Sequence, residues 1–494
     1  MPTYPKLRFR NRESGQALVP VLFIVLILTA FAVSLTSTAR REIRSGGAFL
    51  RDAQQYYAAR GAVNLVAAEL QLATNGGVTP PQLTPPEDTD AGGWSRLGDA
   101  WYKVDIIDTA SRLNINTADG ATIAKLPAFQ SSPEIAAAIV DWRDQDSDVS
   151  ALKVGNGNVV MGAESETYQT ANPPYNAKNA PFDTPEELLL LKGMTPQILY
   201  GGATPTTANQ PDTVVGVIGR AAATRQAGGQ SGSGSSGLPA VDTSASTMPL
   251  SEMITTYSRE LNVASDGTKR VNIRTANAQA LQDAGLTRQT ANQIIQARGN
   301  GGANLTSIAD LLNIPGITRT IMQQIGDKIT ISDAQYRNGV VNINTAPAEV
   351  LATIPGVDQT IYNAVIQARQ NGTMFTGLND IFQLTQLNRQ QLQKLVDYVC
   401  TKSSVYLLRV RVRIPGTHKV FAAQALVELT AAPAAASTTG ASGTQAPPTD
   451  TSSQVQTPTV LQWREVARSP GWSTWTTPPN YYSASALGGT VGNR

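Results

Sequence analysis

Histidine and cysteine are almost missing from this sequence, since His418 and Cys400 are each the single residue of their type. One cysteine cannot form an intrachain disulfide. Nucleophilic triads and most zinc sites draw on histidine or cysteine at a cleft. His418 instead stands in "RIPGTHKVF", a segment typical of a β-turn. We therefore predict that the protein is not an enzyme.

Charged residues are also scarce. Only 15% of the 494 residues are Asp, Glu, Lys or Arg, and the formal net charge is +2. This balance gives no strong electrostatic argument for nucleic acid or an acidic partner. The length exceeds what one hydrophobic core usually holds, so the sequence predicts several domains.

The N-terminal part, by contrast, contains a long hydrophobic run. A basic leader precedes an uncharged stretch from Ala17 to Val33, and Arg40 and Arg41 follow it. Such a run is just long enough to span a bilayer, with the leader on the cytoplasmic side. A secretory signal peptide is the alternative, but helical periodicity continues beyond the run. The residues at helical spacing are Phe49, Ala53, Tyr56, Tyr57, Ala59 and Val63.

This arrangement resembles the type IV pilin-like proteins. In that family prepilin peptidase removes a short basic leader that ends in Gly, and the new amine is methylated. The resemblance implies cleavage between Gly15 and Gln16 and methylation of Gln16. Most pilins carry Glu at the fifth mature position, where it neutralises the buried amine of a neighbouring subunit; here that position is Pro20. A subunit with no neighbour beyond it needs no such Glu, so Pro20 favours a tip or initiating subunit.

Three related segments follow the N-terminal helix. They begin "LNINTADGATIAKLPAF" at Leu113, "VNIRTANAQALQDAGL" at Val271 and "VNINTAPAEVLATIPGV" at Val341. Each predicts an extended start, a Thr that can cap a helix, and two pairs of helices joined by tight turns. Internal repetition indicates a shared fold. We assign module one to residues 111–200, module two to 251–330 and module three to 338–400, with a flexible linker at 201–250 that includes "QAGGQSGSGSSG".

The turns "IPGV" and "IPGI" resemble the helix-hairpin-helix motif. In its DNA-binding versions, glycine amides of the hairpin contact phosphates, usually with two glycines flanking one apolar residue. Here the second position holds Asp358, Thr318 or Thr287, and the flanking helices carry few basic residues. Because phosphate neutralisation dominates DNA affinity, the sequence favours packing over DNA binding, with DNA capture as an alternative.

Module one alone contains a long insert, residues 144–181, that is rich in carboxylates. A structureless loop of this length is uncommon unless something holds it together. Oxygen ligands without His or Cys favour Ca²⁺ over zinc. An ordinary solvated acidic loop is the alternative, and the residues leave both interpretations open. The candidate ligands are Asp141, which lies on the preceding helix and is the weakest, and Asp144, Asp146, Asp148, Glu164 and Glu166.

Strand patterns flank the modules. "WYKVDIID", within residues 95–110, and a hairpin at 403–430 are predicted to form one sheet, to which "TVLQWREV" adds an edge strand. "ITTYSREL" and "KRVNI" predict a short hairpin leading into module two. Residues 431–494 are predicted to be a low-complexity linker and tail.

The order "WYKVDIID", "RLNINTA", "DWRDQDSD", "GAESETY" and "PPYNAKNAPFDTPEELLLLKGM" resembles the general secretion pathway protein K family, the large minor pseudopilin of type II secretion. The resemblance covers residues 12–430. It implies an α+β fold with a leader (1–15), an N-terminal transmembrane pilin helix (16–75), a small antiparallel pilin sheet, and a large inserted all-α domain of helix-hairpin-helix or SAM-like modules. Members of the family bind calcium; here Ser165 replaces an expected Asp.

The resemblance also implies a function. It predicts a minor pseudopilin that caps the tip and initiates assembly of the type II secretion pseudopilus, for protein export across the outer membrane. The implied partners are other minor pseudopilins, the inner-membrane assembly platform and prepilin peptidase. The implied location is the bacterial inner membrane, single-pass, with the C-terminal bulk in the periplasm. The alternatives are a tip minor pilin of a type IV pilus system and a membrane-anchored DNA-capture protein.

Overall fold

A computed structural model describes residues 18–75, 93–155, 157–201, 248–299, 302, 304–415, 420–430 and 457–466. The predicted cleavage and methylation positions Gly15 and Gln16 lie outside these residues, as does His418. So do the predicted flexible segment 227–237, the low-complexity stretch 432–454 and the tail from residue 467.

The helices and strands are numbered in chain order. The helices are α1 (Leu18–Asn75), α2 (Gly120–Ile123), α3 (Glu134–Arg143), α4 (Ser165–Gln169), α5 (Pro196–Tyr200), α6 (Leu250–Met253), α7 (Ala278–Asp283), α8 (Arg288–Ala297), α9 (Arg319–Ile325), α10 (Ala348–Leu351), α11 (Gln359–Gln370), α12 (Leu378–Ile381) and α13 (Arg389–Val396). The strands are β1 (Ser95–Leu97), β2 (Ala100–Asp108), β3 (Leu113–Asn114), β4 (Ala151–Lys153), β5 (Val159–Met161), β6 (Ile254–Thr255), β7 (Arg259–Leu261), β8 (Val271–Asn272), β9 (Ile329–Thr330), β10 (Tyr336–Asn338), β11 (Val341–Asn342), β12 (Val399–Cys400), β13 (Val405–Arg413), β14 (Val420–Glu428) and β15 (Thr459–Glu465).

Helix α1 is continuous from its apolar start to its packing on the sheet. It is the one described helix that is long and apolar enough to cross a membrane, and its apolar part is exposed. Further along, small and apolar side chains such as Ala59, Val63 and Leu70 pack on the sheet. Phe49 and Tyr57 were predicted at helical spacing with these residues. They are instead 73% and 71% exposed. The sheet contacts the alanine-rich face because small side chains let helix and strands approach closely.

The main sheet confirms the predicted pairing. Its five antiparallel strands run in the order β1-β2-β13-β14-β15. Val410 of β13 lies opposite Val104 of β2, and β15 adds the predicted edge strand beside β14. Because all three modules lie between β2 and β13 in the chain, the helical part is an insertion into this small α+β unit.

Each module closes by pairing its first strand with its last, in parallel: β3 with β6, β8 with β9, and β11 with β12. Module one therefore includes α6 and β6, which follow the predicted linker, and the assignment of residues 251–255 to module two was wrong. The predicted hairpin of "ITTYSREL" with "KRVNI" was also wrong, since it reduces to one bridge between Val263 and Lys269. The parallel pairing buries Ile254 completely in the module core, which the hairpin would not do.

The repeated asparagines stabilise the modules internally. In module three, Asn344 Nδ2 donates to the carbonyls of Phe375 and Thr401 at 2.8 and 3.0 Å, and Asn344 Oδ1 accepts from the Phe375 amide. Asn116 bonds the equivalent atoms of module one. Arg274 occupies this position in module two and donates to a carbonyl there. The motif that recurs in the sequence thus provides hydrogen bonds that join the two halves of a module.

Ion pairs join the modules to the sheet. Glu252 of α6 contacts both Arg112, which precedes β3, and Arg409 of β13, the latter at 2.7 Å. Arg112 and Arg409 are largely buried. Two further pairs bridge the same junction: Arg464 with Glu186, and Arg259 with Glu428. The modules and the sheet have separate hydrophobic cores, so these ion pairs, together with the hydrogen bonds from Asn342 and Thr345 to Asp108, connect them.

Candidate metal centre

The insert of module one has secondary structure of its own. Strands β4 and β5 form an antiparallel hairpin, and α4 follows it. Trp142 meets the edge of Tyr168 with 5.3 Å between ring centroids, and Tyr175 stacks on Tyr168 at 5.2 Å. The insert is therefore ordered, and its aromatic side chains pack onto the hydrophobic core of the modules.

Three of the six predicted ligands converge. One carboxylate oxygen from each of Asp144, Asp146 and Glu164 lies within 4.8 Å of the other two. Asp144 is the C-cap residue of α3. Glu164 is the N-cap residue of α4, is 3% exposed, and accepts a hydrogen bond from the Ser165 amide at 3.3 Å. Two helix ends thus bring together carboxylates from both sides of the insert.

The other three predicted ligands lie around this group. Asp141 is fully buried on α3, and its Oδ1 accepts from the Ser150 amide at 3.0 Å. Asp148 and Glu166 are exposed. The Asp148 amide donates to Asp146 Oδ1 at 2.9 Å, so Asp148 shapes the turn through its backbone. The structure does not bring the Asp148 and Glu166 carboxylates into the converging group.

Several buried oxygens at this site have no hydrogen-bond donor. They are Asp141 Oδ2, Asp144 Oδ1, Glu164 Oε1 and Asn179 Oδ1. A buried acceptor left unpaired costs about 1–3 kcal/mol, and an anionic one costs more. A hard cation would satisfy these atoms, and the all-oxygen donor set fits Ca²⁺.

Asn179 was not among the residues predicted from the sequence. Its Nδ2 donates to the backbone carbonyl of Asp146 at 3.0 Å, which leaves Oδ1 as a free acceptor. Asn179 has a positive φ of 47°, a conformation that asparagine adopts more readily than most residues. An asparagine pair in "YNAKNAPF" was the available signal, but the sequence does not show that this loop folds back onto residues 144–148.

The electrostatics of the group favour a bound cation. Burial raises the pKa of Asp144, and the charges of Asp146 and Asp141 raise it further. Burial also raises the pKa of Glu164; the hydrogen bond from Ser165 opposes this, and the three aspartates add to it. The charge of Arg143 opposes the shift at Asp144, but its guanidinium donates to the carbonyls of Ile115 and Ala118. Among the described residues, no ion pair therefore offsets the repulsion between these carboxylates.

The helix-hairpin-helix turns have a capping role. Thr287, Thr318 and Asp358 are the N-cap residues of α8, α9 and α11, and the side chain of each accepts a hydrogen bond from a first-turn amide. A Cβ on Gly356 would lie 2.8 Å from Cγ of Lys394, so this turn is covered by another side chain. The caps occupy amides that a phosphate would need. Weak DNA binding stays a prediction.

Comparison with known families connects this geometry to one of them. A family model described as type II secretion system protein K matches residues 123–201, which contain α3, the whole insert and every carboxylate of the site. This part of the chain is therefore similar to the type II secretion protein K family. A helix-hairpin-helix motif model matches residues 267–330 and 337–400, in modules two and three.

Two proteins extend the comparison. Type II secretion system protein K of Klebsiella pneumoniae is 27% identical over 209 residues, which cover 37% of this chain and 59% of that protein. The chain thus matches less than two thirds of that relative's length. A chain of the GspK-GspI-GspJ complex from enterotoxigenic Escherichia coli aligns with 85% of this chain and 99% of its own, at 12% identity and a TM-score of 0.35.

Proposed function

We propose that this protein is a member of the protein K family, a minor pseudopilin that caps the tip of a type II secretion pseudopilus and initiates its assembly. The observation that carries the proposal is an exposed apolar stripe on α1. Its members lie seven or eight residues apart, about two helical turns, so they share one side of the helix. They are Ile43, Leu50, Tyr57, Leu65 and Leu72, which are 41–75% exposed.

The stripe is separate from the face that packs on the sheet. Ala59, Ala62 and Val66 are buried against the strands, whereas the stripe residues occupy other positions of the same turns. Contiguous exposed apolar surface marks an interaction site, and apolar residues repeated every two turns fit another helix. The N-terminal helix of another minor pseudopilin has the required chemistry. The related Escherichia coli protein is described in a complex with GspI and GspJ.

The bulk of the three modules supports the proposed position at the tip. They are inserted between β2 and β13 at one end of the sheet, where they would obstruct a subunit stacked above. Pro20 in place of the usual Glu supports the same position. The match to a protein K domain favours type II secretion over a type IV pilus system.

The proposed location is the bacterial inner membrane, with one span in α1 and the modules in the periplasm. Prepilin peptidase would cleave between Gly15 and Gln16, and Gln16 would be methylated. The assembly platform of the inner membrane would then receive the processed subunit. Mass spectrometry of the membrane-bound protein tests this: a mature mass beginning at methylated Gln16 is expected, and an intact leader would contradict it.

We propose that Ca²⁺ stabilises the insert. Asp144, Asp146 and Glu164 would hold the ion, and the unpaired oxygens of Asp141 and Asn179 would support it. Calorimetric titration of the metal-free full chain in detergent should show calcium binding that Asp146→Ala or Glu164→Ala abolishes. Asp148→Ala and Glu166→Ala are matched controls from the exposed carboxylates and should retain binding. Equal losses in all four variants would contradict the assignment.

Co-purification tests the helix stripe. The full chain, co-expressed with the other minor pseudopilins of its system, should be recovered with them from solubilised membranes. Leu50→Arg combined with Leu65→Arg should abolish this recovery and secretion. Val159→Arg places the same charge on an exposed apolar position of the insert, 60% exposed, and should leave both intact. Unchanged recovery of the double variant would overturn the proposed interface.

A further inference from the structure

The apolar part of α1 extends further than its sequence composition indicates. Residues 34–39 contain several hydroxyl side chains, which would oppose burial in lipid if they were unpaired. In the structure Thr36 donates to the Ala32 carbonyl at 2.7 Å, and Ser37 and Thr38 donate to the Ser34 carbonyl at 2.8 and 3.1 Å. Because these donors are satisfied within the helix, residues 34–39 are compatible with the hydrocarbon layer.

This length sets where the helix leaves the bilayer. From Leu18 to Ala39 the helix rises about 33 Å, close to the hydrocarbon thickness of about 30 Å. Three exposed arginines follow at once: Arg40, Arg41 and Arg44. They span about 6 Å along the helix axis, which is about the depth of one head-group layer.

The side chains of the three arginines have no partner among the described residues, since none of them takes part in an ion pair or side-chain hydrogen bond there. Glu42 is the single acidic residue among them. A guanidinium binds phosphate oxygens through paired N–H donors. From this placement we infer that Arg40, Arg41 and Arg44 bind the phosphate groups of anionic phospholipids at the surface where α1 leaves the membrane. This contact rests on the membrane span proposed above.

The contact would fix the height of α1 in the membrane. The apolar stripe begins at Ile43, within the same turns, so the depth of the arginines decides how much of the stripe stands above the lipid. Anionic head groups would hold the helix at a level where residues from Leu50 onward are available to a neighbouring helix. The cluster thus couples membrane anchoring to the proposed helix contact.

The test uses the full chain in nanodiscs with equal amounts of phosphatidylglycerol and phosphatidylcholine. Native mass spectrometry should show phosphatidylglycerol retained on the protein about fivefold over phosphatidylcholine or more, as expected from the attraction of an arginine near an anionic surface. The triple variant Arg40→Gln, Arg41→Gln, Arg44→Gln should bring the two lipids near parity. Arg288→Gln, an exposed arginine of α8, should leave the preference unchanged.

Several outcomes would overturn the inference. Equal retention of the two lipids by the unaltered protein would exclude specific lipid contact. An unchanged preference for phosphatidylglycerol in the triple variant would exclude it as well. Displacement of phosphatidylglycerol by inorganic phosphate would indicate a site for soluble anions instead. Loss of co-purification with other pseudopilins at an unchanged lipid preference would make the cluster a protein interface. Alkaline extraction separates the proposed lipid contact from the proposed membrane span. If the protein stays in the membrane but retains both lipids equally, only the lipid contact is overturned. If the protein is extracted, the span is overturned as well.

Discussion

A side chain on Gly162 would overlap the carboxylate of Asp141. A Cβ at that position would lie 2.7 Å from Cγ of Asp141 and 3.0 Å from the carbonyl carbon of Ala137. The chain just after β5 therefore passes directly over the buried carboxylate on α3. This close approach places Glu164, two residues later, at the carboxylate group of the candidate metal centre.

Gly162→Ala should displace the end of β5 and weaken calcium binding. In the unaltered protein, calcium at a hundredfold excess over Kd should stabilise the fold by about 2.7 kcal/mol. The variant should lose most of this gain because Glu164 is moved away from Asp144. Thermal unfolding with calcium and then with chelator measures the effect. Gly155→Ala, in the same insert with open space around its Cβ, should behave like the unaltered protein; a full calcium shift in Gly162→Ala would contradict the proposed geometry.

The calcium effect should depend on pH in a defined direction. The pKa values of Asp144 and Glu164 are raised by burial and by neighbouring carboxylates, above their usual values of about 3.9 and 4.3. In the metal-free protein, the stability that these two groups contribute is fully present below their usual pKa values. It is lost as pH rises through their raised pKa values. Calcium requires the charged carboxylates, so its stabilising shift should be largest near neutral pH.

Thermal unfolding with and without calcium, from about pH 7.5 down to about pH 4, measures this dependence. The calcium-induced shift should shrink steadily toward the acid end, where protons compete with the ion. The double variant Asp144→Asn, Glu164→Gln should show no shift at any of these pH values. A calcium shift of constant size across the range would show that these two groups do not take up the ion.

The contact of Glu252 with Arg112 and Arg409 should matter for the junction between modules and sheet. Burial alone would raise the pKa of Glu252, but the two guanidinium groups lower it. Its contribution is therefore present above about pH 4.3 and is lost as pH falls through the lowered value. Glu252→Gln leaves both largely buried guanidiniums facing a neutral group and should cost about 2 kcal/mol at neutral pH.

Chemical unfolding of the full chain, together with hydrogen exchange of β13 and α6, measures the effect of Glu252→Gln. Exchange should accelerate at these two elements first. Glu166→Gln removes the same charge from an exposed position and should be neutral. If Glu252→Gln has the stability and exchange of the unaltered protein, the Glu252 ion pairs do not contribute to holding the junction.

Module one should tolerate removal of its internal segment. A Cβ on Gly201 would lie 3.7 Å from Cβ of Pro249, so the described residues that flank 202–247 are neighbours in space. Replacing this segment by a short Gly-Ser link should leave the melting temperature nearly unchanged, because loop length changes closure entropy only slowly. A deletion of 202–255, which also removes the fully buried Ile254, should destabilise the module by about 2–5 kcal/mol. Unfolding after the shorter deletion would contradict this arrangement.

The sequence by itself determined the features that depend on local patterns. The apolar run and helical period predict α1. Alternating residues predict β2, β13 and β14 and the pairing of the hairpin with the strand near Val104, whereas the register that places Val410 opposite Val104 came from the structure. The repeated Asn-Ile-Asn-Thr starts predict a shared module fold, and the acidic insert points to protein K. Periodicity and repetition depend only on residues that are near one another in the sequence. They can therefore be recognised without knowing which distant residues are in contact.

Only the tertiary structure decided which residues meet across long stretches of chain. It placed β6 in module one, turned Tyr57 away from the sheet, and selected Asp144, Asp146 and Glu164 from a longer run of carboxylates. It also brought Asn179 to the same site. Composition could not separate these acids because they are chemically alike. Which of them converge depends on the ends of α3 and α4, on the aromatic side chains that pack the insert onto the module core, and on the space left by a glycine.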